Sequence, residues 1–166
     1  MSSLDNYFAT PMYSDDSYLL SIDNINLIKE EFKDHTINAG KNYNLNKDLA
    51  VINSKGLVGK IIFTSNNNSR VLLINDFSSS VPVKTLFDNS FSIITGSADG
   101  KFLKSSFTKD DVLPKVGDLL VTSGNAKIFP RDILVARVVL VNKDHYLAVP
   151  FVDFNNLNYV QVVKSK

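Results

Sequence analysis

Short apolar runs alternate with polar turns over most of the chain. From residue 35 onward, aliphatic and β-branched runs are separated by clusters of Gly, Asn, Ser and Asp, such as those at 54–56, 65–69 and 97–100. The absence of helical patterns between the runs favours an all-β barrel or sandwich over a doubly wound parallel sheet. The pattern predicts strands at 35–38, 49–53, 57–63, 70–75, 80–86, 91–95, 118–122, 133–142, 146–152 and 158–163.

One stretch near the start of the chain departs from this pattern. Ile22, Ile25, Ile28 and Phe32 recur at spacings of three and four, which is typical of one face of a helix. We therefore predict a possible short N-terminal helix at 17–32. A hairpin that turns at Asp23-Asn24 is the alternative interpretation.

The run "ILVARVVLV" (133–141) is apolar at nearly every position. Such a run suits a strand that is covered on both faces. We expect this strand to be shared between two packed units.

Charge is distributed unevenly along the 166 residues. The formal net charge is only +1, which gives no overall argument for binding nucleic acid or a membrane surface. Residues 1–32, however, carry a net charge of −5, and the remainder carries +6. The sequence therefore predicts an acidic N-terminal arm on a mildly basic body.

The residue types that carry catalysis are sparse. There are no cysteines, and the two histidines, His35 and His145, have no metal-ligand spacing. His35, Asp76 and Ser97 follow the order of one protease triad, but too few residues separate them to bring two barrel halves together. We predict no enzyme activity, no catalytic residue, no cofactor and no metal.

Two glycines are predicted to have structural roles. Gly59 lies inside an apolar strand, where glycine indicates a bulge or a close approach of another backbone. Gly124 follows a strand and is expected to adopt a positive φ. A phosphate-binding role would need a following helix N-terminus, and none is evident.

Several motifs in order resemble the MreC family of bacterial rod-shape-determining proteins. The resemblance covers roughly residues 35–163 and runs through "GLVG" (56–59), "SRVLLIND" (69–76), "VPV" (81–83), "VGD" (116–118), "TSG" (122–124) and "FP" (129–130). Asn125-Ala126, Arg131-Asp132 and Ala136 depart from positions where the family commonly has glycine. The motif residues expected to be structural are Gly56, Gly59, Arg70, Asp76, Pro82, Gly117, Asp118, Ser123, Gly124, Phe129 and Pro130.

The resemblance implies a fold of two small six-stranded-type β-barrel units. We expect the first unit to take residues 1–56 and 131–166, with the N-terminal arm, and the second to take 57–130. It also implies a non-catalytic scaffold of the cell-elongation machinery on the outer, periplasmic face of the bacterial cytoplasmic membrane. Attachment to the membrane would come only from an N-terminal segment that this chain lacks.

The resemblance further implies binding partners. These are MreD, the elongation-specific penicillin-binding transpeptidase and its glycosyltransferase, and other copies of the protein itself, as a dimer or filament. No nucleic acid is expected among them.

One segment combines exposed-type aromatics with basic residues, as partner-binding patches do. It contains Lys101, Phe102, Leu103, Lys104 and Phe107, and we predict that it contacts a partner. Burial under the second barrel is the competing interpretation. The same cluster leaves an alternative function open, a small β-barrel module that binds single-stranded nucleic acid or an oligosaccharide.

Overall fold

The computed structural model describes residues 25–165, which fold almost entirely into antiparallel strands. Within residues 25–165, the loops contain four 3₁₀ turns, at Lys41–Tyr43, Lys109–Asp111, Asn125–Lys127 and Phe154–Asn156. The twelve strands of the described part are β1 (Ile25–Lys33), β2 (Thr36–Ile37), β3 (Ala50–Asn53), β4 (Gly56–Thr64), β5 (Ser69–Leu73), β6 (Ser80–Thr85), β7 (Phe91–Gly96), β8 (Leu103–Thr108), β9 (Leu119–Thr122), β10 (Leu134–Val141), β11 (Tyr146–Pro150) and β12 (Tyr159–Ser165).

The strands close into two six-stranded barrels, as the family resemblance implies. The first barrel has the order β1-β12-β3-β4-β5-β2, and the second has the order β10-β11-β8-β7-β6-β9. Inward-facing residues such as Val51, Val58, Ile61 and Val162 fill the first barrel. Since each barrel is closed, its strands have hydrogen-bonded neighbours on both sides.

A second core joins the two barrels. Ala50, Ile52 and Leu57, from the outer face of the first barrel, belong to the same buried cluster as the interior of the second. Leu134, Val135 and Ala136 of β10 are all buried, with no alternation between faces. This part of the 133–141 run is therefore covered on both sides, as its composition predicts.

Gly59 allows two strands of the first barrel to approach closely. A Cβ at this position would lie 2.0 Å from the backbone oxygen of Leu72 on β5. The neighbouring β3–β4 ladder shifts register between Val51 and Ile52. Any side chain at Gly59 would displace backbone, so only glycine fits here.

The structure replaces the predicted N-terminal helix by a strand. Residues 25–33 form β1, which pairs with β12 from Ile25↔Ser165 to Glu31↔Tyr159. The helical spacing of the isoleucines is overridden by this long antiparallel ladder, because pairing is decided by tertiary contacts. Residues 17–24 of the predicted helix, with the alternative turn at Asp23-Asn24, lie outside the described residues.

The division of the chain between the barrels also differs from the predicted one. Strands β4 and β5, placed by prediction in the second unit, complete the first barrel through pairing with β3 and β2. Strands β10 and β11, placed in the first unit, belong to the second barrel through pairing with β9 and β8. The first barrel thus spans 25–73 and 159–165, and the second spans 80–150.

Strand β8 has no counterpart among the predicted strands. Its sequence is LKSSFT, with Ser105 between Leu103 and Phe107. An apolar residue at position 105 would have given the alternating pattern that predicts a strand. The inward Ser105 is buried, and its hydroxyl accepts a hydrogen bond of 2.9 Å from the Tyr146 backbone N–H. A polar residue therefore occupies the core because it has a polar partner there.

A tyrosine fills the interior of the second barrel. Tyr146 is fully buried, and its hydroxyl shares a hydrogen bond of 2.6 Å with the Ser92 hydroxyl. Burial raises the pKa of Tyr146 to about 12, and the Ser92 hydrogen bond offsets part of this shift. The phenol thus stays protonated in the folded barrel at pH values where an unfolded tyrosine ionises.

We predict that the replacement Tyr146→Phe destabilises the protein less at alkaline pH than at neutral pH. At neutral pH the lost Ser92 partner costs about 1 kcal/mol. Above pH 10 the unfolded tyrosine loses its proton while the folded one keeps it, so the wild type loses stability as pH rises toward 12. Urea unfolding at pH 8 and pH 11 should show the difference between the two proteins shrinking by about 1 kcal/mol. Tyr43→Phe, at an exposed tyrosine, is the control, and a pH-independent difference for Tyr146→Phe contradicts the assignment.

The loop between β9 and β10 contains strained backbone. Gly124 has φ 79°, and Ala126 and Lys127 have φ values of 60° and 55°. Asp132 also has a positive φ, of 68°, at one of the positions where the family commonly has glycine. The left-handed region costs a residue with a Cβ roughly 1–2 kcal/mol.

Ala126→Gly is therefore expected to stabilise the protein, by about 0.5–1 kcal/mol after the entropy cost of glycine. The matched control is Ala98→Gly, in an exposed turn where φ is not positive, which should be destabilising. Thermal unfolding of both variants measures the difference. If Ala126→Gly lowers the melting temperature as much as Ala98→Gly, the left-handed assignment is wrong.

Candidate partner-binding surface

The predicted patch at 101–107 lies on β8 and the turn before it. Lys101 and Lys104 are exposed, and Phe102 is half-buried. Leu103 has no exposed surface and belongs to the core shared by the barrels. Its inclusion in the partner-binding patch is therefore wrong, because side chains alternate across the strand and Leu103 faces inward.

A register shift carries Phe107 to the outside of the second barrel. Ile94 pairs with Ser105, whereas the neighbouring Ile93 pairs with Phe107, so Ser106 is an extra residue in β8. Such a bulge reverses the alternation of the residues beyond it. As a result Phe107 is 50% exposed and lies on the outer face beside Ile93.

Phe107 packs against a second aromatic residue on this face. The ring of Phe91 lies 6.2 Å from the ring of Phe107, with an interplanar angle of 61°. This edge-to-face geometry is one of the two that aromatic pairs prefer. Sequence analysis missed Phe91 as a surface residue because β8, its neighbour, was not among the predicted strands.

The turn that leads into β8 is tightly hydrogen-bonded. The Asp99 carboxylate accepts hydrogen bonds from the Ser97 hydroxyl and the Lys101 backbone N–H. These hydrogen bonds, that from Ser97 foremost, hold the pKa of Asp99 below its ordinary value. The amide of Asn75 donates to the Gly100 backbone oxygen at 3.0 Å. The turn thus fixes the start of the Lys101–Lys104 segment.

Two adjoining cavities of about 480 and 580 Å³ meet at Phe91 and Asn125. The first lies where the barrels join, between Lys60 of β4 and Ile93 of β7. The second extends over Phe107 toward the loop before β10. We call this continuous surface the aromatic groove and define it by six residues: Lys60, Phe91, Ile93, Phe107, Lys109 and Arg131.

The charge of the aromatic groove is positive. No carboxylate is among the described residues that line it. Asp132, just outside, pairs with Lys84 at 2.9 Å and with Arg131 at 3.5 Å. Lys109 forms no ion pair within the described part of the chain. The groove therefore combines an apolar, aromatic floor with a cationic edge.

Other large apolar side chains are exposed singly. Phe63 on β4 is 62% exposed, and Phe77 and Phe87 lie in loops. None of the three lines the aromatic groove. Isolated exposed apolar residues are common on protein surfaces, so these carry no site by themselves.

The three residues in protease order do not form a triad. Among the described residues, the Ser97 hydroxyl donates to Asp99, whereas Asp76 accepts from the amide and hydroxyl of Ser78. The ring of His35 stacks on Phe32 at 6.2 Å. Residues 25–165 also contain no group of three potential metal ligands and no helix long and apolar enough to cross a membrane.

The family motif residues of the first barrel lie at its contact with the second barrel, on β5 and in the turn that leads to the second barrel. A Cβ on Gly56 would lie 2.5 Å from the backbone oxygen of Leu134. Arg70 is exposed on β5, where it pairs with Thr36. The hydrogen bonds from Ser78 hold the pKa of Asp76 below its ordinary value and fix the turn into the second barrel.

The motif residues of the second barrel lie at the two ends of β9. Phe129 is buried in the shared core. The Thr122 hydroxyl accepts from the Ile133 backbone N–H and donates to the Pro130 backbone oxygen. The Pro82 backbone oxygen accepts a hydrogen bond from the Ser123 backbone N–H. The Asp118 carboxylate accepts one from the Lys115 backbone N–H. Gly117 and Gly124 both have positive φ.

Comparison with known proteins identifies the fold. The family model for the barrel core of the rod shape-determining protein MreC matches residues 27–164. The cell shape-determining protein MreC of Haemophilus influenzae is 35% identical over 130 residues, which are 78% of this chain and 34% of that protein. The chain spans only part of its curated relatives, since the matches cover between 33% and 51% of the length of four of them.

Solved structures agree with the sequence comparison. The crystal structure of MreC from Pseudomonas aeruginosa has a TM-score of 0.75 and 26% identity, and the match covers 84% of this chain and 99% of that one. A complex between a penicillin-binding protein (PBP2) and MreC from Helicobacter pylori contains a chain with a TM-score of 0.60 and 16% identity, covering 84% of this chain and all of that one. The second likeness shows the fold alone. With its matching family model and relatives of this similarity, the chain belongs to the MreC family of cell shape-determining proteins.

Proposed function

We propose that this chain acts as a non-catalytic scaffold of the cell-elongation machinery, and that the outer face of its second barrel binds a penicillin-binding transpeptidase. The observation that carries the proposal is the pair Phe91 and Phe107, held edge to face on the outside of a barrel with cationic residues beside it. Exposed aromatics in such a setting are typical anchors of protein interfaces.

Membership of the MreC family supports the choice of partner. The MreC protein of Helicobacter pylori, which has the same fold, forms a complex with a penicillin-binding protein. The elongation-specific transpeptidase, its glycosyltransferase, MreD and further copies of the chain are the proposed partners. The proposed location is the outer face of the cytoplasmic membrane, where peptidoglycan is made.

Barrel closure determines how such a partner can bind. Each described strand has hydrogen-bonded neighbours on both sides, so β-strand addition at a free edge is not the proposed mode. A partner would instead contact outward side chains. Phe107 supplies the apolar contact area, and Lys101 and Lys104, exposed at the near end of β8, supply charge at the rim.

This arrangement separates affinity from association rate. Burying an anchor such as Phe107 mainly slows dissociation, whereas rim lysines mainly speed the encounter with an acidic partner. Self-association through other surfaces would then raise the strength of binding by avidity.

The replacement Phe107→Ala should weaken binding to the periplasmic part of the elongation transpeptidase by about 10- to 30-fold, which corresponds to roughly 1.4–2 kcal/mol for an interface anchor. Calorimetry or surface plasmon resonance measures the affinity. Phe63→Ala is the matched control, since Phe63 is 62% exposed but lies on the first barrel.

Thermal unfolding of both variants should stay close to that of the wild type, because at least half of each side chain is exposed. Equal affinities for wild type and Phe107→Ala in a folded protein would place the interface elsewhere. A further variant, Phe102→Ser with Phe107→Ser, tests the whole patch without touching the buried Leu103. Loss of affinity together with loss of circular dichroism would mean that Phe102 belongs to the core.

A further inference from the structure

One side-chain nitrogen in the described part of the chain is buried without a hydrogen-bond partner. It is Nε of Arg137 on β10, and this residue forms no ion pair within residues 25–165. Buried polar atoms are nearly always hydrogen-bonded, and an orphaned donor is most costly on a charged group. Such an exception points to a role for Arg137 outside the folding of the barrel.

The tip of the Arg137 side chain reaches the surface. The residue is half-buried. Its two terminal nitrogens are not among the buried unpartnered atoms, and no described residue hydrogen-bonds to them, so they contact solvent. Part of the guanidinium is therefore dehydrated in the free protein. A carboxylate gains more from such a group than from a fully hydrated arginine, because the surroundings screen the attraction less.

Apolar side chains surround Arg137 on the outside of the second barrel. Val149 of β11 pairs directly with Arg137 and is 38% exposed. Leu140 pairs with Leu147 and is 41% exposed. Leu147 and Val149 are two residues apart on β11, so both pairs lie on one surface of the sheet. We call this surface the arginine face and define it by Arg137, Leu140, Leu147 and Val149.

A β-bulge brings Arg137 and Leu140 onto the same surface. The pairing of β10 with β11 shifts register between Val138 and Leu140, which makes Val139 an extra residue in β10. Without it, residues 137 and 140 would point to opposite sides of the sheet, because side chains alternate along a strand. Bulges of this kind re-aim side chains and are over-represented next to active sites.

The charges beside the arginine face favour an acidic ligand. Lys104 of β8 lies opposite Leu147, and Lys143 lies in the turn between β10 and β11. Both lysines are exposed and form no ion pair among the described residues. The acid in the same turn, Asp144, already has a partner, since its Oδ1 lies 2.8 Å from Nδ1 of His145. A carboxylate on a ligand would therefore meet a positive surface.

We propose that the arginine face binds a segment of a partner protein that presents one aspartate or glutamate between apolar side chains. The carboxylate accepts hydrogen bonds from the guanidinium of Arg137, and the flanking side chains cover Leu140 and Val149. Arginines are enriched among the residues that dominate interface energies. A nucleic acid suits this surface less well, because phosphate backbones are bound by many cations, and here one cation lies among apolar side chains. The arginine face shares no residue with the aromatic groove, so the proposal is independent of the proposed function.

The Nε–H signal of Arg137 in ¹⁵N NMR of the full chain reports such binding directly. The sequence has three arginines, Arg70, Arg131 and Arg137, so single replacements by lysine assign the three signals. The probe is a pool of acetylated, amidated pentapeptides with glutamate at the centre and Ala, Thr, Val or Leu elsewhere. A matched pool has glutamine at the centre.

We expect the glutamate pool to shift the Arg137 signal and the backbone amides of Leu147 and Val149. The glutamine pool should need a roughly tenfold higher concentration, as the loss of a charge-assisted hydrogen bond implies. The signal of Arg70, exposed on the first barrel, should not move. An equal response to both pools, no response to either, or a larger shift at Arg131 than at Arg137 overturns the proposal. These comparisons use the wild type and need no variant to fold.

Variants then test the cause of the preference. Arg137→Met keeps an apolar stem and removes the charge, so it should bind the two pools equally. Arg70→Met is the matched control and should keep the roughly tenfold preference for glutamate. If folded Arg137→Met retains the preference, the carboxylate binds elsewhere and the proposal is wrong.

Two further probes distinguish other classes of partner. Oligothymidine and vesicles of phosphatidylglycerol offer phosphate groups without a carboxylate between apolar side chains. If either shifts or broadens the Arg137 signal while the glutamate pool does not, the arginine face is a phosphate site and the proposal is overturned. Since no transpeptidase is present, none of these outcomes depends on whether Phe107 binds one.

Discussion

The rest of the structure depends on the packing of β10, a strand of the second barrel, against the outer face of the first barrel. Leu134, Val135 and Ala136 are buried in succession because the interior of one barrel and the outer face of the other cover them. Gly56 permits this approach, since a Cβ there would collide with the Leu134 backbone oxygen. The position of β4 relative to β7, and therefore the shape of the aromatic groove between Lys60 and Ile93, follows from this contact.

Barrel closure limits the chemistry that the surface can offer. Each described strand has a paired neighbour on both sides, so recognition by the barrels falls mainly to their side chains. The bulge at Ser106 then determines which side chain β8 presents. Without the extra residue, Phe107 would continue the alternation of Leu103 and Ser105 and point into the core.

Sequence reasoning predicted the β class and most of the strands, because alternation and turn residues are local signals. The two six-stranded barrels were implied by the resemblance to the family. Sequence reasoning did not predict β8, because polar Ser105 occupies an inward position that only its contact with the Tyr146 backbone N–H explains. It misread β1 as a helix, since the ladder with β12 joins residues more than a hundred positions apart. The division between barrels depends on the same long-range pairings.

The candidate surface was only partly predictable for a related reason. Phe107 and the lysines stand out in the sequence, but Leu103 cannot be told from them without knowing the strand register. Phe91 and Arg131 join Phe107 only after folding, from positions 16 and 24 residues away. The candidate surface combines side chains from three strands and a loop, so its composition depends on how distant strands pair. An individual strand can be predicted from the local sequence pattern.

The conformation of the strained loop before β10 depends on both its local backbone and the long-range packing around it. Ala126 and Lys127 hold left-handed conformations where glycine would be easier, and Asn125 and Ala126 line the groove. The neighbouring Thr122 hydroxyl bonds to the Pro130 backbone oxygen and Ile133 backbone N–H, and Phe129 anchors the loop in the shared core. Strain persists only where surrounding contacts over-determine the backbone. The loop wall of the groove is therefore held in place by the same core that joins the barrels.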